Sequence, residues 1–224
     1  MSPDAAPAFP LVLSGPSGAG KTSVATWLLD GDPQIVSSVS CTTRERRGRE
    51  VEGIDYFFLG ESEFLARRDR DEFAEWALVH GNLYGTPKSF LDRQTRAGRI
   101  VLMDIDVQGG MLIRRARADS VLVFLLPPSL EALEERLRGR STDADDVIAR
   151  RLAAARREMG HAGAYDYVLV NHDLEATRRA VRAIVEAERC RASRVLGSNL
   201  VEREPILAEA RGGNPERAEN LERK

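Results

Sequence analysis

Apolar positions along the chain fall into short, nearly unbroken runs separated by stretches of helical spacing. Residues 9–14, 99–105, 120–126 and 167–171 are each dominated by Val, Leu, Ile or Phe and are too short for a buried helix. Runs of that kind predict strands covered on both faces, as in a parallel sheet. Residues 23–30, 87–97, 129–138, 147–159 and 174–189 instead carry apolar side chains three and four apart, the period of an amphipathic helix. On the first of these, Val24, Trp27 and Leu28 can face a sheet. Strands alternating with helices imply right-handed crossovers, hence an α/β fold with a parallel β-sheet core flanked by helices.

Two stretches break the alternation. Residues 37–84 mix short extended runs, such as 54–59, with a helix over 61–70, and read as an inserted lobe. Residues 136–151 place Arg136, Arg138, Arg140, Arg150 and Arg151 around a glycine and a polar acidic linker, the composition of a short lid. The resulting plan is a discontinuous core, 9–36, 85–135 and 152–196, bearing the lobe 37–84 and the lid 136–151. The ends, 1–8 and 197–224, read as flexible termini, the latter as a loosely docked helix followed by disorder.

Composition narrows the function classes. The 224 residues carry a formal net charge of -2, so no polyanion-binding surface and no nucleic-acid partner is expected. Cys41 and Cys190 are far apart and lack metal-ligand spacing; Cys41 reads as a packing residue. His80, His161 and His172 show no ligand spacing. With no apolar run long enough to span a bilayer and no signal-like start, the expectation is a cytoplasmic protein with no membrane partner and no obligatory protein partner.

The chemistry is announced directly after the first strand. Gly15, Pro16, Ser17, Gly18, Ala19, Gly20, Lys21 and Thr22 fit the P-loop pattern. Glycines let main-chain N–H groups converge on an anion at a helix N-terminus; Lys21 adds a charge for the β- and γ-phosphates, and the Thr22 hydroxyl can ligate Mg²⁺. Asp104 ends an apolar strand, where an isolated acid is costly to bury; a hydrated Mg²⁺ nearby would neutralise it, and a strand-end cap is the plainer alternative. This half of the site predicts bound nucleotide phosphates and by itself does not distinguish a kinase from an ATPase, a GTPase or a nucleotide-gated partner.

Further motifs supply the acceptor. They are Ser40 to Tyr56 with Arg44 and Arg47, then Glu72 to Trp76 with Glu75, then Gly81 to Pro87 with Tyr84 and Thr86, then Leu102 to Gly109 with Asp104 and Asp106. In this order, from about residue 9 to about residue 190, the chain resembles the guanylate kinase family of P-loop nucleoside monophosphate kinases. The resemblance implies that Arg44, Arg47, Tyr56 and Tyr84 hold the phosphate of GMP, and that Ser40, Glu75, Thr86 and Asp106 line the base pocket. Guanine presents N1–H and an exocyclic amine, for which two carboxylates are matched acceptors; adenine lacks those donors, and such a mismatch can cost about 10⁴-fold in selectivity. Taken singly, Glu75 reads equally as an exposed helix carboxylate beside Trp76, and Asp106 as a strand-end cap.

By the same resemblance Lys21, Arg44, Arg136, Arg140 and Arg151 carry catalysis by charge stabilisation, with Thr22 and, through water, Asp104 serving Mg²⁺. Arg138 and Arg150 adjoin the lid arginines and can exchange roles with them. Asn171 matches the segment beside the donor nucleotide, or caps the helix from Leu174. No general base is needed, because the acceptor is already an ionised phosphate. The chain departs from the family pattern at Arg49, where a small residue is usual, and at Leu83, where an aromatic is frequent. The reading is transfer of the ATP γ-phosphoryl group to GMP, and to dGMP. Two rivals are a non-catalytic phosphopeptide-binding module, which would not need Lys21, Thr22 and Asp104, and a P-loop sugar-phosphate kinase, which would not need Glu75 with Asp106.

Overall fold

A computed structural model describes residues 7–79, 81–139, 145–197 and 205–212. Five strands, β1 (Pro10–Ser14), β2 (Ile35–Ser37), β7 (Ile100–Asp104), β8 (Val121–Leu126) and β9 (Tyr167–Val170), form a parallel sheet in the order β2-β7-β1-β8-β9. The four long apolar runs are its centre and one edge. β2 is the strand that sequence periodicity does not reveal, being three residues that pair only with β7.

Alternation along the strands feeds two cores. Leu11 and Leu13, Ile100 and Leu102, and Val121, Val123 and Leu125 point to one side. There they pack against Val24 and Leu28 of α1 (Lys21–Gly31) and Val181 and Val185 of α7 (Leu174–Arg189). Val12, Val101, Met103, Leu122 and Phe124 point to the other, against α3 (Lys88–Arg96) and α4 (Val107–Ala116). Both faces are therefore dry, which is why these strands read as continuous apolar runs rather than alternating ones.

A second sheet of four strands has the order β4-β3-β6-β5, with β3 (Ser40–Thr42), β4 (Tyr56–Phe58), β5 (Phe73–Val79) and β6 (Asn82–Pro87). One face is closed by α2 (Glu61–Asp69), whose Phe64 stacks on Phe73 at 4.5 Å between ring centroids, beside Cys41 and Leu83. Burial holds the Cys41 thiol up at about 11, so it stays protonated and packs as a small apolar group. Leu83, a departure from the expected pattern, is buried in this core.

Near the lid, α5 (Leu130–Arg138) and α6 (Asp145–Met159) join through Leu133, Leu137, Leu152 and Ala155. Arg140 and His80 lie outside the described residues. After α7 come a short α8 (Ala192–Val195) and α9 (Pro205–Gly212); the remainder of the tail is likewise outside them. Among the described residues no helix is long and apolar enough to cross a membrane.

Candidate active site

The phosphate loop follows β1 at the carboxyl edge of the parallel sheet, where open α/β sheets bind ligands. Gly15, Gly18 and Gly20 adopt φ of 140°, 90° and 99°, a region closed to most side chains. Gly20 is the N-cap of α1 and no side chain caps that helix, leaving its first N–H groups for an anion. Lys21 Nζ donates to the carbonyls of Gly15 at 2.6 Å and Pro16 at 3.2 Å, folded back over the loop.

Parallel pairing of Leu13 with Asp104 brings the end of β7 beside the loop. Thr22 Oγ1 donates to Asp104 Oδ2 at 3.1 Å. Burial pushes the Asp104 carboxyl above its ordinary range, opposed by the Lys21 charge and the Thr22 hydrogen bond. A hydroxyl and a carboxylate thus meet at the wall of a cavity of about 310 Å³ that also holds Lys21, Asp106 and Glu158. This pair fits Mg²⁺, which takes few protein ligands and keeps waters and phosphate oxygens for the rest. Among the described residues no cluster of three or more His, Cys, Asp or Glu could form an all-protein metal cage.

The residues expected at the acceptor lie on the face of the second sheet away from α2, and strand register assembles them. Ser40 pairs with Tyr56 across β3 and β4, and Thr42 with Tyr84 across β3 and β6, so these side chains share one face. Glu75 joins them because β5 is irregular between Phe73 and Glu75. Two residues apart on a regular strand, both would point the same way; the bulge sends Phe73 to the α2 core and Glu75 opposite Thr86. Thr86 Oγ1 donates to Glu75 Oε1 at 2.6 Å, and Ser40 Oγ lies 3.1 Å from Thr86 Oγ1.

Glu75 is 8% exposed, on a strand rather than on the exposed helix that its neighbours suggest. Burial raises its carboxyl above the ordinary range, the Thr86 hydroxyl counteracts this, and the negative charge of Asp106 raises it further. Asp106 itself caps α4, accepting from Gly109 N at 2.8 Å through Oδ1. Its cap role and its place in the cavity are therefore compatible, since the second oxygen stays out of the cap.

Arg44 is 9% exposed and held from three directions. Its Nη2 donates to Glu50 Oε1 at 2.6 Å, its Nη1 to the Glu45 carbonyl at 2.8 Å, and its guanidinium lies 5.3 Å over the Tyr56 ring. The Glu50 hydrogen bond holds the Arg44 pKa above the ordinary arginine range. Tyr56 and Tyr84 meet edge to face at 6.0 Å. Glu50 also accepts from Arg47 N at 2.8 Å, so one carboxylate shapes the loop that carries both arginines, while the Arg47 residue stays exposed. Arg49, the departure from the family pattern, is exposed beside it.

The lid arginines separate. Arg136 reaches the phosphate loop, donating to Gly18 O at 3.4 Å and Asn171 O at 3.2 Å. Arg138 is tied to Glu134 and Asp145 in surface pairs, and Arg150 and Arg151 sit on exposed positions of α6. Asn171 does not cap α7; Asp173 does, accepting from Ala176 N at 2.7 Å. The Asn171 amide instead donates to Ala19 O at 2.7 Å.

Glu158 escaped the sequence reading. It stands in the last turn of α6, a place disfavoured for an acid by the helix dipole, and that is the one signal that could have found it. Burial raises its carboxyl, with Lys21 lowering and Asp106 raising it in turn.

Comparison with known proteins agrees with this geometry. The family described as guanylate kinase matches residues 8–188. The chain belongs to the guanylate kinase family. A guanylate kinase of Aromatoleum aromaticum is 52% identical over 181 residues, covering 81% of this chain and 89% of that one. One of Myxococcus xanthus is 49% identical over 195 residues, covering 87% and 93%. The crystal structure of a guanylate kinase from Anaplasma phagocytophilum superposes with a TM-score of 0.66 at 37% identity, covering 84% of this chain and 90% of that chain. The guanylate kinase match thus spans both sheets and stops short of α8 and α9.

Proposed function

We propose that this chain transfers the γ-phosphoryl group of ATP to GMP or dGMP, giving ADP and GDP or dGDP. The observation that carries the reading is the pair of carboxylates, Glu75 and Asp106, set close enough that the charge of Asp106 is felt at the buried Glu75, with Asp106 in the cavity of the phosphate loop. Guanine supplies the two donors that such a pair requires. The contacts assigned to the acceptor go to base and phosphate, so the ribose 2′-hydroxyl is not needed.

In this reading the loop from Gly15 to Thr22 takes the donor phosphates, and the lobe 37–84 with Thr86 takes GMP. Arg44 and Arg47, with Tyr56 and Tyr84, orient the acceptor phosphate; guanidinium forks match its oxygens. Lys21 turns from the Gly15 and Pro16 carbonyls to the donor phosphates. Arg136, Arg140 and Arg151 gather on the transferred group as the lid 136–151 closes, and closure excludes the water that would hydrolyse ATP. A GMP phosphate oxygen then bonds to the γ-phosphorus while the bond to the β-phosphate oxygen breaks. Thr22 and, through water, Asp104 would hold Mg²⁺, which when bound neutralises phosphate charge. No side chain need remove a proton.

With ATP labelled at the γ-position, label should appear in GDP when GMP is present, and chelation of divalent cations should stop it. Label released only as inorganic phosphate would overturn the reading.

A further inference from the structure

A loop that holds phosphate through N–H groups must turn its carbonyl oxygens outward, since an inward oxygen repels the anion. In this chain five of the loop's carbonyls meet a donor. Gly15 is held by Lys21 Nζ, Pro16 by Lys21 Nζ and Ala19 N, Gly18 by Arg136 Nη1, Ala19 by Asn171 Nδ2 and Gly20 by Val24 N. The Lys21 bonds end when its ammonium turns to phosphate. The Arg136 contact is long, at 3.4 Å.

The Asn171 bond differs from both. At 2.7 Å it is short, and Asn171 is 4% exposed, so water does not replace it. The Ala19 carbonyl can only accept, which sets the amide nitrogen toward it, and Oδ1 lies 3.1 Å from Thr177 Oγ1, whose one proton is shared with the Asp173 carbonyl at 2.9 Å. A Cβ placed on Gly20 would lie 2.3 Å from Nδ2, so the amide packs directly on the loop backbone and only glycine leaves it room.

We propose that Asn171 is a positioning residue for the phosphoryl donor, holding the Ala19 carbonyl in place and so keeping the loop N–H groups converged. It acts through the loop rather than on the nucleotide. The inference rests on the loop being the donor site.

Asn171→Asp puts an oxygen where the donor stood, facing the Ala19 oxygen. Loss of a buried hydrogen bond of this kind should raise the KM for ATP roughly 10- to 100-fold. The KM for GMP and GMP affinity measured without ATP should stay as in the wild type. Thr177→Val keeps the side-chain shape, removes the hydroxyl beside Asn171 Oδ1, and should raise the ATP KM several-fold with GMP again unaffected; it decides the matter if Asn171→Asp does not fold. An ATP KM within about twofold of wild type, or equal losses for both substrates as a merely structural role would give, overturns the inference. Titration of both proteins with a non-hydrolysable ATP analogue separates this from failure of the functional reading, in which the wild type itself would not bind the analogue.

Discussion

Glu75 concentrates the conflict between stability and recognition in one side chain. It is buried against Thr86 and faces Asp106, and its carboxyl lies above the ordinary range. In the unfolded chain it ionises near 4.5, so between that pH and its folded pKa the folded protein holds more protons than the unfolded. Stability conferred at this site therefore falls as pH rises through that window and stays lower above it. Asp104 and Glu158 are displaced in the same direction and add to the trend. Glu75→Gln removes the charge: the melting temperature without ligand should rise relative to wild type at pH 8, with the gain shrinking toward pH 4. The same change presents an amide to the guanine donors, and kcat/KM for GMP should drop by about 10² or more. Unaltered kcat/KM would remove Glu75 from base recognition. Glu75, Lys21 and Thr22 were legible because motif spacing carries them. Glu158 was not, because a lone acid at a helix end belongs to no motif and reaches the cavity only through the packing of α6.

At the scale of elements, the apolar runs revealed the four long core strands because both of their faces are buried. In the lobe the extended run 54–59 contains β4, whereas β3, with three residues, was not resolved, and the two acquire a common face only by pairing. The bulge that re-aims Glu75 leaves no local signature either. Helix α4 was hidden by Gly109 and Gly110, which weaken helix propensity. Gly110 is explained by its neighbours, since a Cβ there would lie 2.7 Å from the Tyr165 hydroxyl, whose ring packs edge to face on Phe124. The junction of β1 with the phosphate loop is tighter still. Gly15 has φ of 140°, and an added Cβ would stand 2.1 Å from the Leu125 carbonyl oxygen of β8. Gly15→Ala should destabilise the fold by about 2–4 kcal/mol, measured by urea denaturation, and weaken ATP binding with it. An unshifted midpoint would mean that the loop and β8 are less closely packed than this contact requires.

In the proposed reading the whole molecule divides its two nucleotide sites between two sheets. The donor loop grows from the parallel sheet, while Ser40, Tyr56, Tyr84 and Thr86 stand on the lobe sheet. Val39, Ala74 and Phe57 carry packing of the second sheet into the core that contains residues of α3 and α4, so the two sheets share an apolar junction. That arrangement suits closure of the lobe over GMP while the core keeps its packing. The proposed guanine recognition draws on residues from both parts, Glu75 from one and Asp106 from the other, and sequence could place them in one site only through family resemblance. The most direct measurement is the rate of ADP formation from Mg·ATP with GMP, dGMP, AMP, CMP or UMP as acceptor. GMP and dGMP should raise the rate far above that without acceptor, and the other three should not; AMP turned over as fast as GMP would contradict recognition of guanine by Glu75 and Asp106.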